Sequence, residues 1–129
     1  MLHTKIIDSN KDKILISKAD EFITSYSFGA SIYFLGTVRN INQNKKVTGI
    51  TYDVHDEMVL KSFTEIYSEA NKKLGIEKKA VFIEHIKGYV GLGDISIIIA
   101  IACAHRDQAY VLSRFIIGFP FNQELSSFS

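Results

Sequence analysis

The longest helical pattern in the chain runs from Glu57 to Leu74, where Val59, Phe63, Ile66, Ala70 and Leu74 recur every three or four positions. Asp56 stands where a cap is expected and Gly75 where a helix stops. Two shorter helices are predicted. One is a helix of about ten residues capped at Ser17, with Asp20 three residues on and Ala19, Phe22, Ile23 and Tyr26 on its apolar stripe. The other is "DQAYVLSRFII", with Ala109, Leu112, Phe115 and Ile116 inward.

Elsewhere the pattern changes from helical spacing to runs and alternation. "FGASIYFLGTV", "KAVFIEHIKGYV" and "ISIIIAIACA" are rich in β-branched and aromatic residues, as buried strands are, and "VTGITYDV" alternates as a half-buried strand does. The turn "GLGD" between two of these runs predicts that they pair as neighbours. Residues Thr4 to Ile7 and Lys13 to Ile16 read as short edge pieces around "DSNKD", and "RNINQNKK" reads as a loop. The order of strands and helices, with no internal repeat, predicts an α+β two-layer domain spanning residues 1–129.

Composition narrows the function classes. The chain has 129 residues, 47% hydrophobic and 22% charged, which suits one globular domain with a sizeable core. A net charge of +1 leaves no global field that would favour nucleic acid, so any anion site must be local. One cysteine, Cys103, excludes an internal disulfide and suits a reducing compartment, with the cytoplasm as the expectation. The N-terminal residues lack the apolar core of a signal peptide, and the longest apolar run is about half the roughly 20 residues of a membrane helix.

Candidate chemistry collects where strands end. Arg39 follows the strand of "YFLGTVRN", a position from which a side chain reaches a ligand without entering the sheet, although a solvated surface arginine is the plainer alternative. In "ACAHRDQAY", His105 and Arg106 stand between a buried strand and a helix, beside exposed N–H groups that favour an anion, or else serve as local capping and surface charge. Taken together, these strand-end cations point to an anionic substrate. Cys103 and His105 have the spacing of a thiolate–imidazole pair, yet Cys103 sits in an alanine and isoleucine run and reads better as a small buried hydrophobe. "GYVGLGD" lacks the strand-to-helix context of a nucleotide loop, and the four histidines have no metal-ligand spacing, so no cofactor or metal is expected.

With "FLGTVRN", "GYVGLGD" and "AHRDQAY" in that order, the chain from about Gly29 to Ile117 resembles the large, catalytic subunit of molybdopterin synthase. The specific matches are Phe34, Gly36, Val38, Arg39 and Asn40, then Ala104, His105 and Arg106. "TYDVHDEM", and His85 with Gly88, are similar to further family stretches, although Ile86 stands where the family often has arginine. The resemblance implies an α/β-hammerhead fold with a small β subdomain. It also implies a sulfurtransferase that converts cyclic pyranopterin monophosphate into the molybdopterin dithiolene. Sulfur would come from the thiocarboxylated C-terminal Gly-Gly tail of a small ubiquitin-like subunit, within a heterotetramer built on a homodimer of large subunits. Arg39, His105 and Arg106 are the implied catalytic residues. Thr37 and Val38 join them as implied substrate contacts.

One departure stands out. The family carries active-site lysines in and after its last helix, whereas Lys87 is the last lysine here and Arg114 the last cation. The stretch 118–129, "GFPFNQELSSFS", is therefore expected to be a divergent or truncated tail. The resemblance then leaves two expectations, an active synthase or an impaired relative that binds partner and substrate, with Lys87 as the one candidate to replace the missing charge.

Overall fold

The computed structural model describes residues 1–42, 45–46 and 48–119. Its main sheet is mixed. Strands β1 (Leu2–Asp8), β6 (Lys79–Gly91), β7 (Ile95–Cys103) and β2 (Ala30–Thr37) lie in the order β1-β6-β7-β2, and β5 (Gly49–Tyr52) pairs with the far half of β6. β1 runs parallel to β6, and the other pairings are antiparallel.

The two central strands are the apolar runs of the sequence, and their alternation divides the core. Ala80, Phe82, Ile86, Ile98, Ala100 and Ala102 face Ala19 and Ile23 of helix α1 (Ile16–Thr24). On the other face, Val81, Ile83, Ile99, Ile101 and Cys103 meet α2 (Asp56–Leu74) and α3 (Arg106–Ile117) through Phe63, Ile66, Ala109, Leu112 and Ile116. The α+β expectation of a sheet packed by helices holds, but helices cover both faces, so the sheet is the middle of three layers where two were expected. Continuous Ile and Val runs, rather than alternation, are what burial on two faces requires.

Several local expectations change. Lys13–Ile16 is not a strand: Ile14 is buried in the core and anchors the entry to α1, which starts at Ile16, so Ser17 falls inside the first turn instead of capping it. Asp56 likewise lies in the first turn of α2, and the capping position belongs to His55, which makes no side-chain cap bond. Gly75 ends α2 in the left-handed conformation, φ 62°, as expected of a glycine stop. Within the expected loop, β3 (Ile41–Asn42) and β4 (Lys45–Lys46) pair as a separate two-stranded sheet, too short for periodicity to reveal. In α3, Ser113 is buried and Phe115 is only half-buried, so the inward stripe is rotated slightly from the apolar pattern. The expected tail lies, from residue 120 onward, outside the described residues.

Candidate functional site

Two glycines set the geometry of strand β2. A Cβ on Gly29 would stand 2.6 Å from the Ala104 carbonyl oxygen, so glycine lets the start of β2 press against the end of β7. At its other end, a Cβ on Gly36 would meet the Ile97 Cγ2 methyl at 2.6 Å, and the register shifts between Gly36 and Thr37. The bulge turns the chain out of the sheet just before Arg39. Val38, buried, locks this exit: its N–H donates to the Asp94 carbonyl at 3.2 Å, and its carbonyl accepts from Gly93 N–H at 2.9 Å.

Thr37 and Arg39 are therefore exposed beside the β6–β7 hairpin, and Arg39 makes no ion pair among the described residues. Val38 has both backbone groups engaged, so it positions Arg39 rather than offering a free N–H. Of the "GYVGLGD" glycines, Gly93 lies in the hairpin turn at φ 80° and Gly91 ends β6, whereas Gly88, at φ 105°, lies within β6 opposite Tyr52 of β5.

His105 and Arg106 occupy the opposite end of the sheet. His105 is the N-cap residue of α3 in extended conformation, without a side-chain cap bond, and Arg106 opens the helix; both are exposed. The antiparallel register pairs Ala30 with Cys103 and Thr37 with Ile95. Eight residue steps of β7, roughly 26 Å of strand, separate the sheet end that leads to Arg39 from the end that leads to Arg106. One copy of the chain thus presents two separate cationic points and does not bring them into one pocket.

Cys103 is fully buried, and desolvation pushes its thiol upward against the opposing influence of Lys79. His105, in contrast, is exposed, so the thiolate–imidazole pair does not form and the buried-hydrophobe reading holds. Lys87 is not a free cation either, since its ammonium pairs with Asp56 at 3.2 Å. No group of three metal-ligating side chains occurs among the described residues. Likewise, no described helix is long and apolar enough to cross a membrane.

The polar residues that the sequence pattern passed over lie within β6. His85 is buried, edge-on to Tyr52 with ring centroids 5.2 Å apart, and its Nδ1–H donates to the Ile86 carbonyl at 2.7 Å. Burial lowers its pKa, with the Ile86 bond opposing, so the ring is neutral near pH 7 and keeps its lone pair on Nε2. Beside it, Glu84 is buried and pairs with His3 of β1 at 2.8 Å. The signal was visible in "AVFIEHIK": a polar pair, Glu84 and His85, set between Ile83 and Ile86 in the middle of a strand.

Comparison with known proteins agrees with this fold. The catalytic subunit of molybdopterin synthase from Synechococcus elongatus is 35% identical over 104 residues, which cover 81% of this chain and 62% of that relative. The chain therefore spans less than two thirds of that curated relative's length. Among solved structures, molybdopterin synthase from Staphylococcus aureus superposes with a TM-score of 0.76 at 28% identity, covering 88% of this chain and 80% of that one. A complex of subunits 1 and 2 of molybdopterin-converting factor from Helicobacter pylori shares the fold, with a TM-score of 0.69 at 24% identity over 89% of this chain and 75% of that one. The profile of the family described as MoaE protein matches residues 9–119, and the chain belongs to that family.

Proposed function

We propose that this chain is the catalytic large subunit of a molybdopterin synthase, working in the cytoplasm on cyclic pyranopterin monophosphate. A small ubiquitin-like partner supplies the sulfur as the thiocarboxylate of its Gly-Gly tail, one thiocarboxylate being consumed for each sulfur installed. The observation that carries this reading is the pair of exposed strand-end cations in a chain of this family: Arg39 after β2, and Arg106 with His105 after β7, neither arginine being ion-paired among the described residues. Substrate phosphate and thiocarboxylate are both anions, and a guanidinium can grip either through two parallel hydrogen bonds. The N-terminus of α3 adds its partial positive charge beside Arg106. His105 orients the substrate or carries a proton, while Thr37 contributes contacts beside Arg39.

A site that uses both clusters draws them from two copies, because roughly 26 Å of strand separates them in one. The outer edge of β2, unpaired among the described residues and with Phe34 and Leu35 38% and 39% exposed, suits a two-fold pairing. Antiparallel contact of two such edges sets the Thr37 end of one copy against the Ala30 end of the other, and so sets Arg39 beside the second copy's His105 and Arg106. This supports a central homodimer with a small subunit at each end.

The test mixes two inactive chains, Arg39→Ala and Arg106→Ala, and measures conversion of pyranopterin by thiocarboxylated partner. Random reassociation makes half the dimers mixed, each with one intact site of two, so about a quarter of the activity returns. No recovery overturns the two-copy site. No conversion by the unaltered chain overturns the synthase reading itself.

A second reading rests on one observation: residues 88–129 contain no lysine. In this case the chain grips substrate and partner but turns over slowly, since a positioned acid–base group contributes about 10² to 10⁴ in rate. Replacing residues 118–129 by a lysine-bearing segment of the family type then raises single-turnover conversion by that factor; equal rates exclude this reading.

A further inference from the structure

Strand β7 is an apolar run interrupted by one hydroxyl. Apart from the thiol of Cys103, Ser96 is the single polar residue of the strand, and it is only 5% exposed. A hydroxyl buried this far needs a partner. Ser96 Oγ–H donates to the Gly36 carbonyl of β2 at 3.2 Å.

The ladder explains why the contact falls there. Gly36 pairs with Ile97 and Thr37 with Ile95, so Ser96 is the extra residue of the bulge and stands opposite no residue of β2. Residues 93–96 of the β6–β7 hairpin therefore hold three backbone groups where β2 leaves the sheet. Ser96 holds the Gly36 carbonyl, the Asp94 carbonyl accepts from Val38 N–H, and Gly93 N–H donates to the Val38 carbonyl. Two of these bonds join backbone to backbone. Only the bond from Ser96 uses a side chain, so only this one depends on the identity of the residue.

Arg39 is the next residue after Val38. It is exposed and makes no ion pair among the described residues, so its backbone alone fixes where the guanidinium starts. We propose that Ser96 is a positioning residue for Arg39: its hydroxyl fixes the bulge that aims Arg39 out of the sheet, and through it the grip of Arg39 on an anion. The catalytic consequence rests on the synthase reading, whereas the anchoring of Arg39 does not. With alanine at 96 the Gly36 carbonyl loses its hydroxyl partner and the exit of β2 loosens. A shift of about 1 Å in a group that holds substrate slows a reaction by up to about a hundredfold. A serine that merely satisfied its own hydroxyl would affect stability and act independently of Arg39.

The test is a double-mutant cycle on the full chain, in single-turnover conversion of cyclic pyranopterin monophosphate by thiocarboxylated partner. Ser96→Ala should slow conversion about ten- to a hundredfold. In an Arg39→Lys background the same substitution should add little, because residues that act as one unit are not additive. Amide spectra provide a readout that needs no turnover: Ser96→Ala should shift or broaden the Arg39 resonance and leave that of Ala30, at the other end of β2, in place. If Ser96→Ala does not fold, Ser96→Cys, with its weaker donor, takes its place. Should the unaltered chain convert no pterin, the synthase reading falls and the Arg39 resonance alone decides the anchor. Undiminished conversion by Ser96→Ala, losses that multiply in the double variant, or an unmoved Arg39 resonance overturns the proposal.

Discussion

Lys87 Nζ lies 3.2 Å from Asp56 Oδ1 and 3.3 Å from Oδ2, joining the far half of β6 to the first turn of α2. The pair holds Asp56 where its charge complements the helix N-terminus. It also occupies the cation that the sequence offered as a substitute for the missing lysines. Both side chains are more than a third exposed, so solvent screens the attraction. Lys87→Met should cost no more than about 1 kcal/mol in urea unfolding, and the loss should shrink as salt is raised. A tenfold fall in sulfur transfer with that small stability change would show that Lys87 acts in the reaction after all.

His85 should make stability depend on pH. Burial lowers its folded-state pKa, whereas the unfolded chain titrates near 6.5. Below that value the unfolded state binds more protons, so His85's contribution is complete above about pH 6.5 and is lost as pH falls toward the folded-state pKa. Urea midpoints between about pH 7 and 5 should therefore decline. The decline should flatten in His85→Leu; an equal slope in that variant would assign the effect to other groups.

Gly29 and Gly36 should respond differently to the same added methyl group. At Gly29 the new Cβ meets a backbone oxygen, the Ala104 carbonyl, which cannot turn aside. At Gly36 it meets the Ile97 Cγ2 methyl, the end of a side chain that has other rotamers. Gly29→Ala should cost about 1 to 3 kcal/mol and should disturb the amide resonances of Ala104 and His105. Gly36→Ala should cost less, and the reverse order would contradict the packing described for β2.

Cys103 should prove structural. It is fully buried, and desolvation disfavours its thiolate. Cys103→Ala should cost about 1 kcal/mol of stability and leave sulfur transfer within a factor of two. In the native protein the thiol should react with a disulfide reagent far more slowly than in urea. Complete loss of activity in a folded Cys103→Ala chain would restore the nucleophile reading.

Local chemistry alone determined most of the elements. The apolar runs of β6 and β7, the helical spacing from Val59 to Leu74 and the stop at Gly75 are properties of neighbouring residues, and they survive without knowledge of what packs on them. The order of the motifs around Arg39 and His105 likewise required only the sequence. Sequence proximity to a strand end does not say which end of the sheet that is. Only the antiparallel pairing of β2 with β7 decided that Arg39 and Arg106 stand far apart in one copy, since strand direction depends on long-range pairing rather than on either segment. The same limit hid the partner of Glu84. His3 and Glu84 are 81 residues apart in sequence, and only the parallel register of β1 on β6 brings them to 2.8 Å. Burial of Glu84 comes from what packs across that face of the sheet and cannot be read from the strand itself.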